Sequence, residues 1–326
     1  MGKYGTWLIA VSMVAPFFII LFQNRADLNS PQVLSSTSTI SNNESVVSFG
    51  LMGDLGLGRN ITAQARLKKD FNWSFGGVTE WLTQNDFNLS NLESPIIKDC
   101  STDFKNTMIF CGDPQFLPSL KYNKFILSLA NNHIFNYGQN GFTQTKDYLS
   151  QNDINFVYSD PPVIASDSVA ISPNSILTLK QINGIKFGFL AYDLVISGRV
   201  IASDSVAISN DIKKYKPEVD WLIVSLHWGN EYLSKPEKWQ IDLVHQLIDV
   251  GADIIAGHHP HVVQPVETYK NKLIFYSLGN FIFDQNWSQA TSESEIYRLK
   301  VSKDKILNID KTPIIIKSNS RPEIRK

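Results

Sequence analysis

Asp54, Glu93, Asn132, His227, His259 and His261 are side chains that hold divalent cations, and each follows a short apolar run. Two carboxylates, one amide oxygen and three imidazoles make an oxygen–nitrogen set without sulfur. Such a set suits Mn, Fe or Zn rather than a metal that demands thiolate. A lone histidine after a strand is more often a hydrogen-bonded loop residue. That explanation fails when five strand ends deliver Asp, Glu, Asn and His together. His133 directly follows Asn132, and adjacent residues at a strand end point in different directions. It is therefore expected to face a substrate oxygen rather than the same metal, with an ordinary pKa near ~6.5 that suits proton transfer. The competing reading is that it hydrogen-bonds a loop carbonyl. The chemistry on offer is metal-assisted hydrolysis with an imidazole in the proton-transfer role.

His259 and His261 lie in GHHPHVV. In a near-extended segment residues i and i+2 point to one side, so both imidazoles reach one site, with Pro260 stiffening the spacing. His258 is then expected to point the other way, as a supporting or structural residue. His245 lies in the helical pattern KWQIDLVHQLIDVG and reads as a surface or packing residue.

Strands are expected over residues 46–52, 87–92, 125–130, 186–191, 221–226, 253–256 and 273–278. Apolar residues at helical spacing mark 141–151 and 238–250, and 296–301 and 314–316 read as closing strands. Strands alternating with helices argue an α/β architecture with both sheet faces covered. In such sheets ligands gather beyond the carboxyl ends of strands, where the candidate residues lie. The decapeptide VIASDSVAIS occurs twice, at 163–172 and 200–209. Without further copies it is no solenoid, and it carries no ligand or nucleophile cluster.

Lys+Arg 30 against Asp+Glu 31 leaves a net charge of −1, with no basic excess to neutralise a phosphate backbone. Nucleic acid is excluded as a partner on that ground. Hydrophobic residues at 43% and charged residues at 19% exclude disorder of the whole chain. Two cysteines build neither a disulfide scaffold nor a Cys-rich zinc site. Whether Cys100 and Cys111 pair, as they could outside the cytoplasm, is left open by the sequence. Residues 4–24 carry no charge, and 7–22 read WLIAVSMVAPFFIILF, close to the ~20 apolar residues of a membrane span. The expectation is a signal anchor over 1–25, with a membrane helix at about 5–22. A cleaved signal peptide is the alternative. The Ser/Thr/Asn-rich stretch 26–45 reads as a tether, and 46–326 as the globular domain.

Six motifs in order, GDLGLGR (53–59), NLESPI (91–96), LANNHIFNYG (129–138), HWGNEY (227–232), GADIIAGHHPHVVQPVE (251–267) and SLGNFIFD (277–284), resemble the CapA family of capsule and poly-gamma-glutamate synthesis proteins. That family is similar to calcineurin-like metallophosphoesterases. The resemblance implies a sandwich of two mixed β-sheets flanked by helices and a site for two divalent metal ions. Asp54 and His261 would bind the first metal, with Glu93 in the bridging place. Asn132, His227 and His259 would bind the second, and His133 would contact the phosphate or protonate the leaving group. Arg59, Asn91, Glu231, His258 and Asn280 would support the ligands or meet the substrate. Two departures stand out. The superfamily's first motif is Asp-x-His, whereas Leu55-Gly56 follows Asp54, so the first metal loses an imidazole. Asn136 stands where the family commonly has aspartate. The implied partner is a surface polymer or a phosphoester. Competing readings are an amidase acting on poly-gamma-glutamate and a non-catalytic assembly subunit of a membrane polymer synthase.

Overall fold

Val47, Phe49 and Leu51 face one side of the first strand, β1 (Val47–Leu55), while Met52 and Leu55 face the other. Both sets are buried, as expected for a strand inside a layered α/β protein rather than at its surface. The computed structural model describes residues 45–102, 108–159, 163–165, 168–170, 175, 177–195 and 202–325. The expected membrane helix and nearly all of the tether lie outside the described residues. Among the described residues no helix is long and apolar enough to cross a membrane.

The chain continues through α1 (Asn60–Lys68), α2 (Thr79–Thr83), β2 (Phe87–Leu92), α3 (Leu117–Tyr122), β3 (Phe125–Ser128), α4 (Gly138–Gln151) and β4 (Asn155–Val157). A hairpin of β5 (Val163–Ala165) and β6 (Ser168–Ala170) precedes β7 (Thr178–Ile182) and β8 (Ile185–Asp193). Then come α5 (Ala202–Tyr215), β9 (Trp221–His227), α6 (Lys238–Asp249), β10 (Ile254–His258), β11 (Val266–Tyr269), β12 (Lys272–Phe275) and β13 (Asn280–Ile282). The chain closes with α7 (Gln289–Ser292), β14 (Glu293–Val301), β15 (Ile306–Ile316) and β16 (Pro322–Ile324).

Two mixed sheets result. One has the order β16-β15-β14-β1-β2-β3-β4, with β13 also paired to β1, and the other β11-β12-β10-β9-β8-β7. Phe49, Phe87 and Ile126 of the first meet Phe187, Ile223 and Phe275 of the second in the central layer. Period-two alternation sends Leu222, Val224 and Leu226 of β9 to the far side, where Leu243, Val244 and Leu247 of α6 cover them. Helices α1 to α4 cover the outer face of the first sheet through Ile61, Leu82, Leu120 and Phe142. The α/β expectation of two mixed sheets with helices on both faces is met.

Several boundaries differ from expectation. The strand expected over 273–278 ends at Phe275 as β12, and β13 begins at Asn280 after Gly279, whose φ of +68° turns the chain. That turn brings Asn280 into register with Asp54, and the Asp54 N–H donates to the Gly279 carbonyl at 2.9 Å. Gly53 is required there, because a Cβ would lie 1.8 Å from the Gly279 oxygen. The closing strands are longer than expected, since β15 pairs along β14 through Asn308, Asp310 and Lys311, which carry no apolar signal. His245 stacks on Tyr269 at 3.9 Å and meets Glu267 at 2.8 Å, a packing role as expected.

Candidate metal centre

The carboxyl ends of β1, β2, β9 and β10, with the loops that follow β3 and β10, bring the candidate ligands together. Asp54, Glu93 and His261 place one ligand atom each within 4.8 Å of one another, and Glu231, His259 and His261 form a second such group. His261 is shared. Asp54 and Glu93 are fully buried, which is costly for two carboxylates unless cations or donors compensate.

Asp54 meets four partners. Its Oδ1 accepts from Asn91 Nδ2 at 2.9 Å and lies 3.4 Å from His258 Nδ1. Its Oδ2 accepts from the His259 N–H at 3.3 Å and lies 3.3 Å from His261 Nδ1. Burial alone would raise its pKa, but contacts with His258 and His261 outweigh burial and hold it well below the carboxylate range. Glu93 is pushed the opposite way, by burial and then by the Asp54 charge beside it. Its Oε1 makes no hydrogen bond, and it faces His261 Nε2 at 3.6 Å and His133 Nε2 at 3.9 Å.

Asn132 Oδ1 and His227 Nε2 stand 3.0 Å apart, and the His227 and His259 rings are 4.8 Å apart. The three implied ligands of the second metal are therefore neighbours. Burial lowers His227 well below the imidazole range and brings His259 to about 4. Both rings are neutral near neutral pH, the state in which an imidazole ligates a metal. Buried, unpartnered Glu93 Oε1 and His259 Nδ1, with this sulfur-free donor set, fit divalent cations of the Mn, Fe or Zn kind.

Supporting contacts come from asparagines. Asn91 Nδ2 reaches Asp54 Oδ1, Glu93 Oε2 at 3.2 Å and His227 Nδ1 at 3.2 Å. Asn280 Oδ1 lies 3.0 Å from His261 Nδ1, the kind of contact that fixes a ligating imidazole. Arg59 pairs with Asp284 and lies over the Phe110 and Phe283 rings. Glu231, expected among the supporting or substrate residues, stands within the ligand group of His259 and His261.

His258 corrects the expectation drawn from the extended segment. The strand ends at His258, and His259 and His261 have φ of +96° and +58°, so period two does not run through HHPH. Such values strain a side-chain-bearing residue. His258 is instead the cross-strand partner of His227, and cross-strand partners share a face. It points toward Asp54, although neither ring nitrogen makes a hydrogen bond.

The departures have structural counterparts. A Cβ at Gly56 would lie 2.7 Å from the Phe283 ring, and that ring sits 5.1 Å from His261. An apolar ring thus fills the space beside the position after Asp54-Leu55. Asn136 Oδ1 lies 3.3 Å from His133 Nδ1, so a neutral acceptor supports the ring. Burial lowers the His133 pKa. Cys100 and Cys111 form a disulfide with Cα atoms 5.7 Å apart.

Sequence reasoning passed over two residues here. Asn131 Nδ2 donates to Asn91 Oδ1 at 3.0 Å, and its Oδ1 accepts the His133 N–H at 3.2 Å. Asp193 ends β8 in register with His227, and burial raises its pKa to about 7. Its Oδ2 is shielded and unpartnered. The strand-end rule that singled out the candidate ligands would have singled out Asp193 as well.

The fold recurs in solved structures of low sequence identity. A hypothetical protein from Thermus thermophilus matches with a TM-score of 0.52 at 11% identity, over 82% of this chain and 98% of its own. A phosphatase from Mycoplasma pneumoniae matches with a TM-score of 0.50 at 13% identity, over 84% and 95%. The two-sheet architecture flanked by helices is thus shared with solved proteins of low sequence identity. The family model for the bacterial capsule synthesis protein PGA_cap matches residues 48–285, and the chain belongs to that family. The capsule biosynthesis protein CapA of Bacillus anthracis is 28% identical over 287 residues, 83% of this chain and 67% of that protein. The PGA biosynthesis protein CapA of Bacillus subtilis is 28% identical over 295 residues, 87% and 75% of the two chains.

Proposed function

We propose that the chain is a metal-dependent hydrolase of the phosphoesterase type, acting in the synthesis or export of a capsule or polyglutamate polymer. The observation that carries this reading is the convergence of buried Asp54, Glu93 and His261 with Glu231 and His259, beside His133. Asp54, Glu93 and His261 would hold one divalent cation, and Asn132, His227 and His259 a second. Bound there, the cations supply Lewis-acid polarisation and activation of water. The chain's own residues do the rest. Asn91 and Asn280 orient the ligands, Arg59, paired with Asp284, keeps positive charge beside the Phe110 ring, and His133, when protonated at Nε2 as well as Nδ1, hands the Nε2 proton to the leaving oxygen. The names of the Bacillus relatives favour a second reading, in which the same residues act at a gamma-glutamyl amide.

Full-length protein purified without chelators should carry Mn, Fe or Zn by elemental analysis. It should hydrolyse a small phosphoester or a gamma-glutamyl polymer, losing that activity with EDTA and regaining it on metal return. Protein that holds only traces of metal and leaves both substrates intact would overturn both hydrolase readings in favour of an assembly subunit.

The same proposal places residues 5–22 in the membrane and the globular domain outside the cytoplasm. Its support is the charge-free span in the sequence and the Cys100–Cys111 disulfide, a bond that persists in oxidising compartments. Carbonate extraction should leave the full-length chain in the membrane pellet. Release into the supernatant would refute the anchor, and a mature N-terminus beyond Arg25 would favour a cleaved signal peptide.

A further inference from the structure

Phe110 is 5% exposed, yet its neighbours include two polar groups of the candidate site. Its ring centroid lies 4.5 Å from that of His133, and the Arg59 guanidinium carbon stands 4.8 Å from the Phe110 ring. The Phe110 N–H donates to Asn136 Oδ1 at 3.1 Å. The same oxygen lies 3.3 Å from His133 Nδ1. An oxygen that accepts from both fixes the His133 hydrogen on Nδ1 and leaves Nε2 toward Glu93 Oε1, 3.9 Å away. The backbone around Phe110 is held on its other side. Cys111 is bonded to Cys100, and Gly112 bridges Ile96, with its N–H donating to the Pro95 carbonyl at 2.7 Å. Opposite the ring, a Cβ at Gly58 would lie 2.8 Å from Phe110 Cβ, so the loop after β1 closes against it.

We propose that Phe110, stapled by the Cys100–Cys111 disulfide, is a positioning residue that sets the His133 imidazole in the candidate site. The disulfide then governs how well His133 meets the leaving group, although neither cysteine touches a ligand residue. This inference rests on the reading of His133 as proton donor to the leaving group. Misplacing such a group by ~1 Å lowers rate by ~10²-fold.

The test uses full-length protein loaded with Zn and two phosphoesters, one with a nitrophenyl and one with an alkyl leaving group. The nitrophenolate leaves without a proton, whereas the alkoxide needs one. Phe110→Ala should retain wild-type metal and lower kcat about 30-fold for the alkyl ester but under about 3-fold for the nitrophenyl ester. Phe110→Tyr should restore the alkyl-ester rate, and Phe110→Leu, which keeps apolar bulk, serves if the alanine variant fails to fold. Nitrogen-15 spectra of labelled histidine should show one Nδ1–H tautomer for His133 in the parent and an averaged pattern in Phe110→Ala. Cys100→Ser combined with Cys111→Ser should move both readouts the same way. Equal losses on the two esters, or an unchanged His133 signature in Phe110→Ala, would overturn the positioning role. Parent-like behaviour of the double cysteine variant would overturn the staple. If the parent cleaves neither ester the phosphoesterase reading fails, and the His133 spectra still decide whether Phe110 positions the ring.

Discussion

Asp54→Asn should strip the protein of most of its bound metal and lower hydrolysis by ~10³-fold or more. A factor of that size is ~4 kcal/mol of transition-state stabilisation, within the several kcal/mol that a Lewis-acid cation supplies. The substitution keeps shape and removes charge. Asn91, His258, His261 and the His259 backbone all converge on the Asp54 oxygens, so Asp54 ties several parts of the site together. Without a cation, burial opposes the charge of Glu93, whereas contacts with His258 and His261 favour the ionised form of Asp54. Neutralising Asp54 therefore removes a charge that the fold stabilises. Thermal melts with and without metal should separate the effects, since a ligand that binds only the native state raises its stability by mass action. The parent should melt higher with metal, and Asp54→Asn should show no such rise. Parent-level metal content in the variant would remove Asp54 from the ligand set.

The legibility of this chain in its sequence divides along a physical line. The strands that end in candidate ligands were readable because they are buried on both faces, so their apolar runs are continuous, as in Trp221–His227. Their carboxyl ends are where an α/β sheet collects polar side chains, and Asp54, Glu93 and His227 stand there. The long hairpin of β14 and β15 was only half legible, because Asn308 to Lys311 lie on an exposed strand held by backbone pairing. The repeated decapeptide shows the limit most directly. Its first copy supplies β5 and β6, while residues 202–209 of the second are helical. Ten identical residues cannot hold the difference. Pro173 follows the first copy and disfavours helix at its end. The second runs on into residues 210–215, where Ile212 joins Ile208 in a stripe packed with Leu247 of α6. At the site the ligand types were legible, but the direction of His258 was not. The turn at His259 depends on a backbone conformation that residue type alone does not announce.

His133→Ala should keep metal and fold while losing ~10²-fold or more in kcat, the usual worth of a positioned acid or base. Asn132 Oδ1 faces His227 Nε2, whereas the His133 ring turns to Asn136 and Phe110 on one side and Glu93 on the other. Neighbours in sequence thus serve different partners. Removing Asn132 should therefore lower metal content and removing His133 should not. The alternative role for His133, a hydrogen bond to a loop carbonyl, finds a side-chain oxygen but no backbone carbonyl among the ring's contacts with described residues. These are the Asn136 side chain, the Phe110 face and the Glu93 carboxylate. A group held against both an acceptor and an aromatic ring is restricted in orientation before substrate arrives, which is how a positioned proton donor lowers a barrier. The loss should fall on kcat more than on KM, because the proton is needed as the leaving group departs rather than as the substrate binds. It should also shrink for a leaving group that departs as a stable anion. Full activity of His133→Ala on an alkyl ester that the parent cleaves would remove His133 from the chemistry. A loss of metal in that variant would make it a ligand instead.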